Sequence, residues 1–224
     1  MNIAYNMDCL EAMRGMKDKE FDLAVVDPPY GNGNDETGYN RFTPTGRFQR
    51  YGSQAKVERR GGGWATKYGN RIVSWDVAPP DEYFEQLFRV SKNQIIWGGN
   101  YFQLPPTRCF LIWRKPNIPS NFTMSMAEYA WTSYRQTCKV FDYPSQGQKH
   151  RWHPTQKPIE LYKWIYSLFT EPGMRILDTH LGSGTSRMAA YDMGLDFAGY
   201  EIDKEYFEKQ EKGFEEYTSQ FRFF

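Results

Sequence analysis

Two short stretches of this chain hold residue types whose spacing suits chemistry. The first is Asp27-Pro28-Pro29-Tyr30. An amino group conjugated to an aromatic ring is a poor nucleophile, because its lone pair is delocalised into the ring. A carboxylate accepting one of its N–H bonds, and a main-chain carbonyl accepting the other, would localise that lone pair towards an incoming electrophile. Prolines stiffen the backbone and remove competing N–H donors, and Tyr30 offers a face on which a flat ring can stack. The plain alternative is a proline-rich turn closing a strand. Taken alone, the motif does not choose between the two.

The second stretch is Asp178-Thr179-His180-Leu181-Gly182-Ser183-Gly184-Thr185, with Glu201 further on. Glycines let the backbone approach a ligand closely, and the helix that follows offers unpaired N–H groups. An acid at the end of the next strand can take both hydroxyls of a ribose. The loop is too short for a triphosphate-binding loop and lacks Gly-Lys-Thr, so a smaller adenosyl ligand fits it better. An ordinary strand-to-helix turn is the alternative here.

The surrounding elements must position these groups. Phe21–Val26 reads as a buried strand running into Asp27, and two prolines end it abruptly. Open α/β sheets place their ligands at such carboxyl ends. Ile95-Ile96-Trp97, Phe110–Trp113, Glu128–Trp131, Arg175–Leu177 and Phe197–Tyr200 read as further strands. Helical patterns occupy Asp8–Met16, the stretch opened by Pro79-Pro80-Asp81 (Tyr83, Phe84, Leu87, Phe88 inward), and Pro158–Leu168 (Leu161, Trp164, Ile165, Leu168 inward). Two more run from Thr185 to Met193, stopped by Gly194, and from Lys204 to Tyr217. Alternating strands and helices predict an α/β fold, a mostly parallel sheet with helices on both faces.

The chain has 224 residues and a formal net charge of +1. That length suits one domain, residues 1–224, with modest insertions. Gly31–Ser74 carries eight basic residues against three acids and shows no periodicity; Arg108–Arg151 carries seven against two. The segment 31–74 reads as a basic insertion, and 132–152 as a short recognition segment; Arg135–Arg151 shows no clear element. Two cationic segments in a neutral chain can still present a positive face to phosphates. Arg41, Arg47, Arg59, Arg60, Lys67, Arg114, Lys149 and Arg151 are the candidate contacts. Three separated cysteines form no CxxC pair, and His150 and His153 have no Cys at zinc spacing, so no metal site and a reducing, cytoplasmic setting are expected. No apolar stretch is long enough for a membrane span.

Asp27-Pro28-Pro29-Tyr30 followed by Gly182-Ser183-Gly184-Thr185 resembles the DNA amino-methyltransferases of the permuted, beta-type group, in which the catalytic motif precedes the cofactor motif. Asn6-Met7-Asp8-Cys9 resembles the family segment whose acid meets the cofactor's adenine. Ile95–Phe102, Phe110–Trp113 and Glu128–Trp131 resemble its middle strands. His153-Pro154-Thr155-Gln156-Lys157-Pro158 resembles the motif at the methionine end of the cofactor. One departure stands out: family members usually carry Asp-Pro-Phe where this chain has Asp178-Thr179-His180.

The resemblance implies a Rossmann-like, circularly permuted, seven-stranded sheet with one reversed edge strand. It implies S-adenosyl-L-methionine as cofactor and adenine N6 of a flipped base in double-stranded DNA as acceptor, in a bacterial cell or phage-infected host. Asp27, Pro28, Pro29 and Tyr30 would be catalytic. Asp8, Cys9, Asp27, Lys157, Pro158, Asp178, His180, Leu181, Gly182, Ser183, Gly184, Thr185, Glu201 and Ile202 would bind cofactor, with Lys157 meeting its carboxylate. Cytosine-N4 methylation, an RNA or protein amide acceptor, and a non-catalytic nucleic-acid-binding module are the alternatives. The compact recognition region is compatible with a homodimer.

Overall fold

The computed structural model describes residues 1–31, 77–121, 125–145, 152, 153 and 155–219. The chain divides into two compact units, Met1–Pro28 with Glu82–Phe224, and Pro29–Asp81.

The larger unit is built on a sheet of eight strands: β1 (Asn2–Tyr5), β2 (Phe21–Val26), β3 (Ser91–Trp97), β4 (Phe110–Arg114), β5 (Ala127–Thr132), β6 (Lys139–Asp142), β7 (Arg175–Asp178) and β8 (Asp196–Tyr200). They lie in the order β1-β8-β7-β2-β3-β5-β4-β6. All pairings are parallel except the two that β5 makes with β3 and β4. Three expectations need correction. Among the described residues the sheet has eight strands, not seven. The reversed strand is β5, which lies inside the sheet rather than at its edge. The segment from Arg135, read as having no element, contains β6 paired in parallel with β4. Strand β1, at the other edge, went unread.

Among the described residues, five α-helices cover the sheet: α1 (Cys9–Gly15), α2 (Asp81–Val90), α3 (Ile159–Phe169), α4 (Thr185–Asp192) and α5 (Lys204–Ser219). The central strands read as unbroken apolar runs because both of their faces are buried. Alternation then sends Leu23, Val25, Ile95 and Trp97 to a core shared with Leu161, Ile165 and Tyr166 of α3 and Ala189 and Ala190 of α4. Ala24, Val26, Ile96 and Leu177 go to a second core with Met13 of α1 and Tyr83, Leu87 and Val90 of α2. Each fully buried Leu, Ile or Val contributes about 1.5–3 kcal/mol. The inward face of α3 differs from the expected stripe. Leu161, Tyr162, Ile165, Tyr166 and Phe169 are buried, whereas Trp164 is half-buried and Leu168 is 36% exposed. Pro158 is the N-cap of α3, one position before the first turn. Gly194 sits just past α4 at φ +65°, the left-handed stop expected there.

In the smaller unit, Gly31 adopts φ +71°, and a Cβ built on it would lie 2.9 Å from the Cβ of Ala78. The two ends of the intervening segment therefore meet backbone to backbone, at a position where only glycine fits.

Candidate active site

The sheet topology creates the site. From β2 the chain passes through the insertion and α2 to β3 on one side. From β7 it passes through α4 to β8 on the other. Neighbouring parallel strands whose crossovers diverge leave a crevice at their carboxyl ends. The β2–β7 register sets Leu177 beside Ala24, so Asp178 closes β7 and Asp27 follows β2 at that crevice.

Asp27 is half-buried, and its Oδ2 is ion-paired with the ammonium of Lys157. The side chain of Lys157 is only 3% exposed, and its Nζ also lies 3.4 Å from Oε2 of Glu128. Burial pulls the Lys157 ammonium down, but Asp27 and Glu128 outweigh that and hold it above the ordinary lysine range. Lys157, expected to meet a cofactor carboxylate, has its ammonium engaged by these two acids. Pro28 is buried, and Pro29 and Tyr30 are half-buried at the start of the smaller unit.

The glycine loop is held from three sides. The Leu181 N–H donates to the Tyr200 carbonyl at 2.9 Å, and the Gly182 N–H to Glu201 Oε2 at 2.9 Å. The other oxygen of Glu201 accepts the Asp203 N–H at 2.9 Å, so this acid also ties the loop to the end of β8. Gly182 and Gly184 adopt φ +52° and +75°. A Cβ on Gly182 would come 3.2 Å from the His153 ring, and one on Gly184 would come 3.1 Å from Gln210. His153 is buried edge-on against Tyr206 at 4.5 Å between centroids; its place is behind the loop. The Leu181 side chain is buried in the core. Ser183 and Thr185 are buried and bonded to each other at 3.2 Å.

Asp178 is buried, with Oδ2 accepting the Ser186 hydroxyl and Oδ1 the His180 N–H at 3.1 Å. Burial pushes its carboxyl up to about 7, and Asp27 and Glu201 add to the shift. Burial likewise raises Glu201, and it pushes the His180 imidazole down to about 4. Asp8 caps α1 by accepting the Glu11 N–H at 2.9 Å, and its charge reaches His180 and Cys9. The Cys9 thiol is pushed up to about 12, mainly by burial, which keeps it protonated at neutral pH. Ile202 is 66% exposed beside Glu201.

Sequence reading missed three members of this neighbourhood. Glu128 and Lys115 continue the charge line beyond Lys157. Tyr83 OH meets Thr179 Oγ1 at 2.6 Å, and Thr179 Oγ1 meets His180 Nδ1 at 2.9 Å. The available signal was a lone charge on an otherwise apolar strand for Glu128. For Tyr83 there was none, since a helix stripe hides its hydroxyl. Arg114 is exposed and paired with Asp142. Arg41, Arg47, Arg59, Arg60, Lys67, Lys149 and Arg151 lie outside the described residues. Among the described residues, no group of His, Cys, Asp or Glu is placed to hold a metal ion, and no helix is long and apolar enough to cross a membrane.

Comparison with known proteins gives this geometry its context. A model of the DNA methylase family matches residues 107–212. YubD of Escherichia coli (strain K12), named as a methylase, is 33% identical over 221 residues, covering 89% of this chain and 84% of YubD. The chain belongs to the DNA methylase family. Two solved structures share the fold of this methylase. The complex of M1.HpyAVI with SAM superposes with a TM-score of 0.55 at 20% identity, covering 95% of this chain and 98% of that one. The PvuII DNA methyltransferase, which is cytosine-N4-specific, gives 0.59 at 13% identity, covering 98% and 92%.

Proposed function

We propose that this methylase transfers a methyl group from S-adenosyl-L-methionine to adenine N6 of a base flipped out of double-stranded DNA. The observation that carries the reading is the placement of Asp27. It stands at the switch-point crevice, held by a buried lysine, beside the glycine loop and the acids Asp178 and Glu201.

The residues fit the cofactor on grounds of charge. Asp8, Asp27, Asp178 and Glu201 lie within electrostatic reach of one another or of shared neighbours, and the buried lysine nearby is already committed to two carboxylates. An acid-lined crevice repels a triphosphate and attracts a sulfonium with an ammonium. The residues proposed to hold the cofactor are Asp178 to Thr185, Glu201 and Ile202 on one side, with Asp8, Cys9 and Pro158 around them. When bound, S-adenosyl-L-methionine supplies an electrophilic methyl on a positively charged sulfur.

The chain's own work is positioning. The Asp27 carboxylate accepts one amino hydrogen of the base and the Pro28 carbonyl the other, and Tyr30 stacks on the ring. Asp27 and Pro28 orient the amine lone pair towards the methyl that the bound cofactor would supply, its sulfur keeping the bonding pair as leaving group. The excess proton leaves nitrogen for Asp27 or water. Duplex DNA incubated with the enzyme and labelled cofactor, then digested to nucleosides and weighed, tests this directly. N6-methyladenine is expected, and N4-methylcytosine would replace the adenine reading. Asp27→Ala is expected to abolish transfer while calorimetry still detects cofactor binding; retained transfer would overturn the assignment of Asp27.

A further inference from the structure

The Asp27–Lys157 pair is continued by two charges that the proposed reaction does not use. Glu128, at the second position of β5, faces two lysines with its two oxygens. Oε1 is ion-paired with Lys115 and Oε2 lies 3.4 Å from Lys157. Lys115 follows β4, and its side chain is 7% exposed. Each ammonium also lies over an indole, Lys115 at 4.6 Å from the Trp113 centroid and Lys157 at 5.2 Å from that of Trp97. The result is a line of alternating charge, Asp27–Lys157–Glu128–Lys115, that sums to zero.

Burial pulls the Glu128 carboxyl upward, but Lys157 and Lys115 outweigh it and hold it below the usual carboxylate range. Glu128 and Lys157 are thus both ionised at neutral pH. Stability alone does not explain such a line, because apolar residues of similar volume often replace buried ion pairs at no loss.

Rigidity does explain it. A lysine ammonium is a point charge on a flexible stem, and a single carboxylate does not fix its place. Glu128 is fixed by the sheet, opposite Trp113 in the β4–β5 register, and the Lys115 N–H is bonded to the Met126 carbonyl at 2.8 Å. We propose that Glu128 and Lys115 are positioning residues for methyl transfer, holding Lys157 against Asp27 and thereby fixing the plane of the Asp27 carboxylate. This rests on Asp27 being the acceptor for the substrate amine. Without Glu128, Lys157 loses its second anchor. Without Lys115, Glu128 carries an uncompensated charge and competes with Asp27 for Lys157.

The test is single-turnover methyl transfer by the full chain at saturating DNA and cofactor. Glu128→Gln and Lys115→Met are each expected to lower the rate by about tenfold, roughly 1.4 kcal/mol in the barrier, with cofactor Kd unchanged. Lys115→Arg should restore it. In a Lys157→Met background, Glu128→Gln should cost nothing further, because its effect runs through Lys157. A folded Glu128→Gln enzyme at the wild-type rate, or losses that multiply in the double variant, would overturn the proposal. If Glu128→Gln does not fold, as judged by its thermal transition, the Lys115 variants decide in the same way. A dead wild type, or an active Asp27→Ala, would instead remove the underlying reading.

Discussion

Asp178, the last residue of β7, and His180, two residues on, are shifted in opposite directions. Burial raises the Asp178 carboxyl from 3.8 to about 7 and lowers the His180 imidazole from 6.5 to about 4. Folding therefore adds a proton to one and denies a proton to the other between about pH 4 and 6.5. A raised carboxyl stabilises the fold at low pH and loses that contribution as pH climbs through its folded value. A lowered imidazole does the reverse, so the two offset over that window. Asp178→Asn removes only the first. Its melting temperature should climb steadily from about pH 4 to 6.5 where the wild type stays flatter, as a calorimetric pH series would show; parallel curves would refute the assignment. Asp27, the glycine loop and Glu201 were legible in the sequence because proline and glycine punctuate the chain beside them. Glu128 and Lys115 were not. Which face of a strand a lone charge takes, and whether a counter-charge waits there, is a property of register.

At the level of elements, legibility followed burial. Strands β2 and β3, covered on both sides, announce themselves as apolar runs. Strands β1 and β6 are four-residue edge strands whose side chains are only half-buried or exposed, so they carry almost no pattern. Helix α3 was found but its face misjudged, because Ile159, Leu161, Tyr162, Trp164, Ile165, Tyr166, Leu168 and Phe169 wrap most of its circumference. Periodicity cannot select a stripe from a helix that is apolar nearly all round. The turn into α4 is more constrained. Gly184 is its N-cap in the left-handed region, pressed against Gln210 of α5. Gly184→Ala should cost about 1–2 kcal/mol from the backbone conformation alone. It should weaken cofactor binding along with the melting temperature; unchanged values of both would show that the loop relaxes freely.

For the whole molecule, family membership makes DNA the substrate class, and the cationic insertion is the proposed source of its electrostatic grip. Removing one phosphate-neutralising side chain should reduce the slope of log affinity against log salt by about 0.9. Replacing Arg59 and Arg60 by alanine should therefore flatten that slope by about 1–2, measured by fluorescence anisotropy on a labelled duplex. An unchanged slope would assign the phosphate grip to other residues. The meeting of Gly31 with Ala78 has a further consequence for how such enzymes diversify. A segment whose two ends meet can lengthen, shorten or be exchanged at little cost, since loop-closure entropy grows only slowly with the added length. The neck thus lets a chemistry that tolerates little change travel with a segment whose length is free to drift.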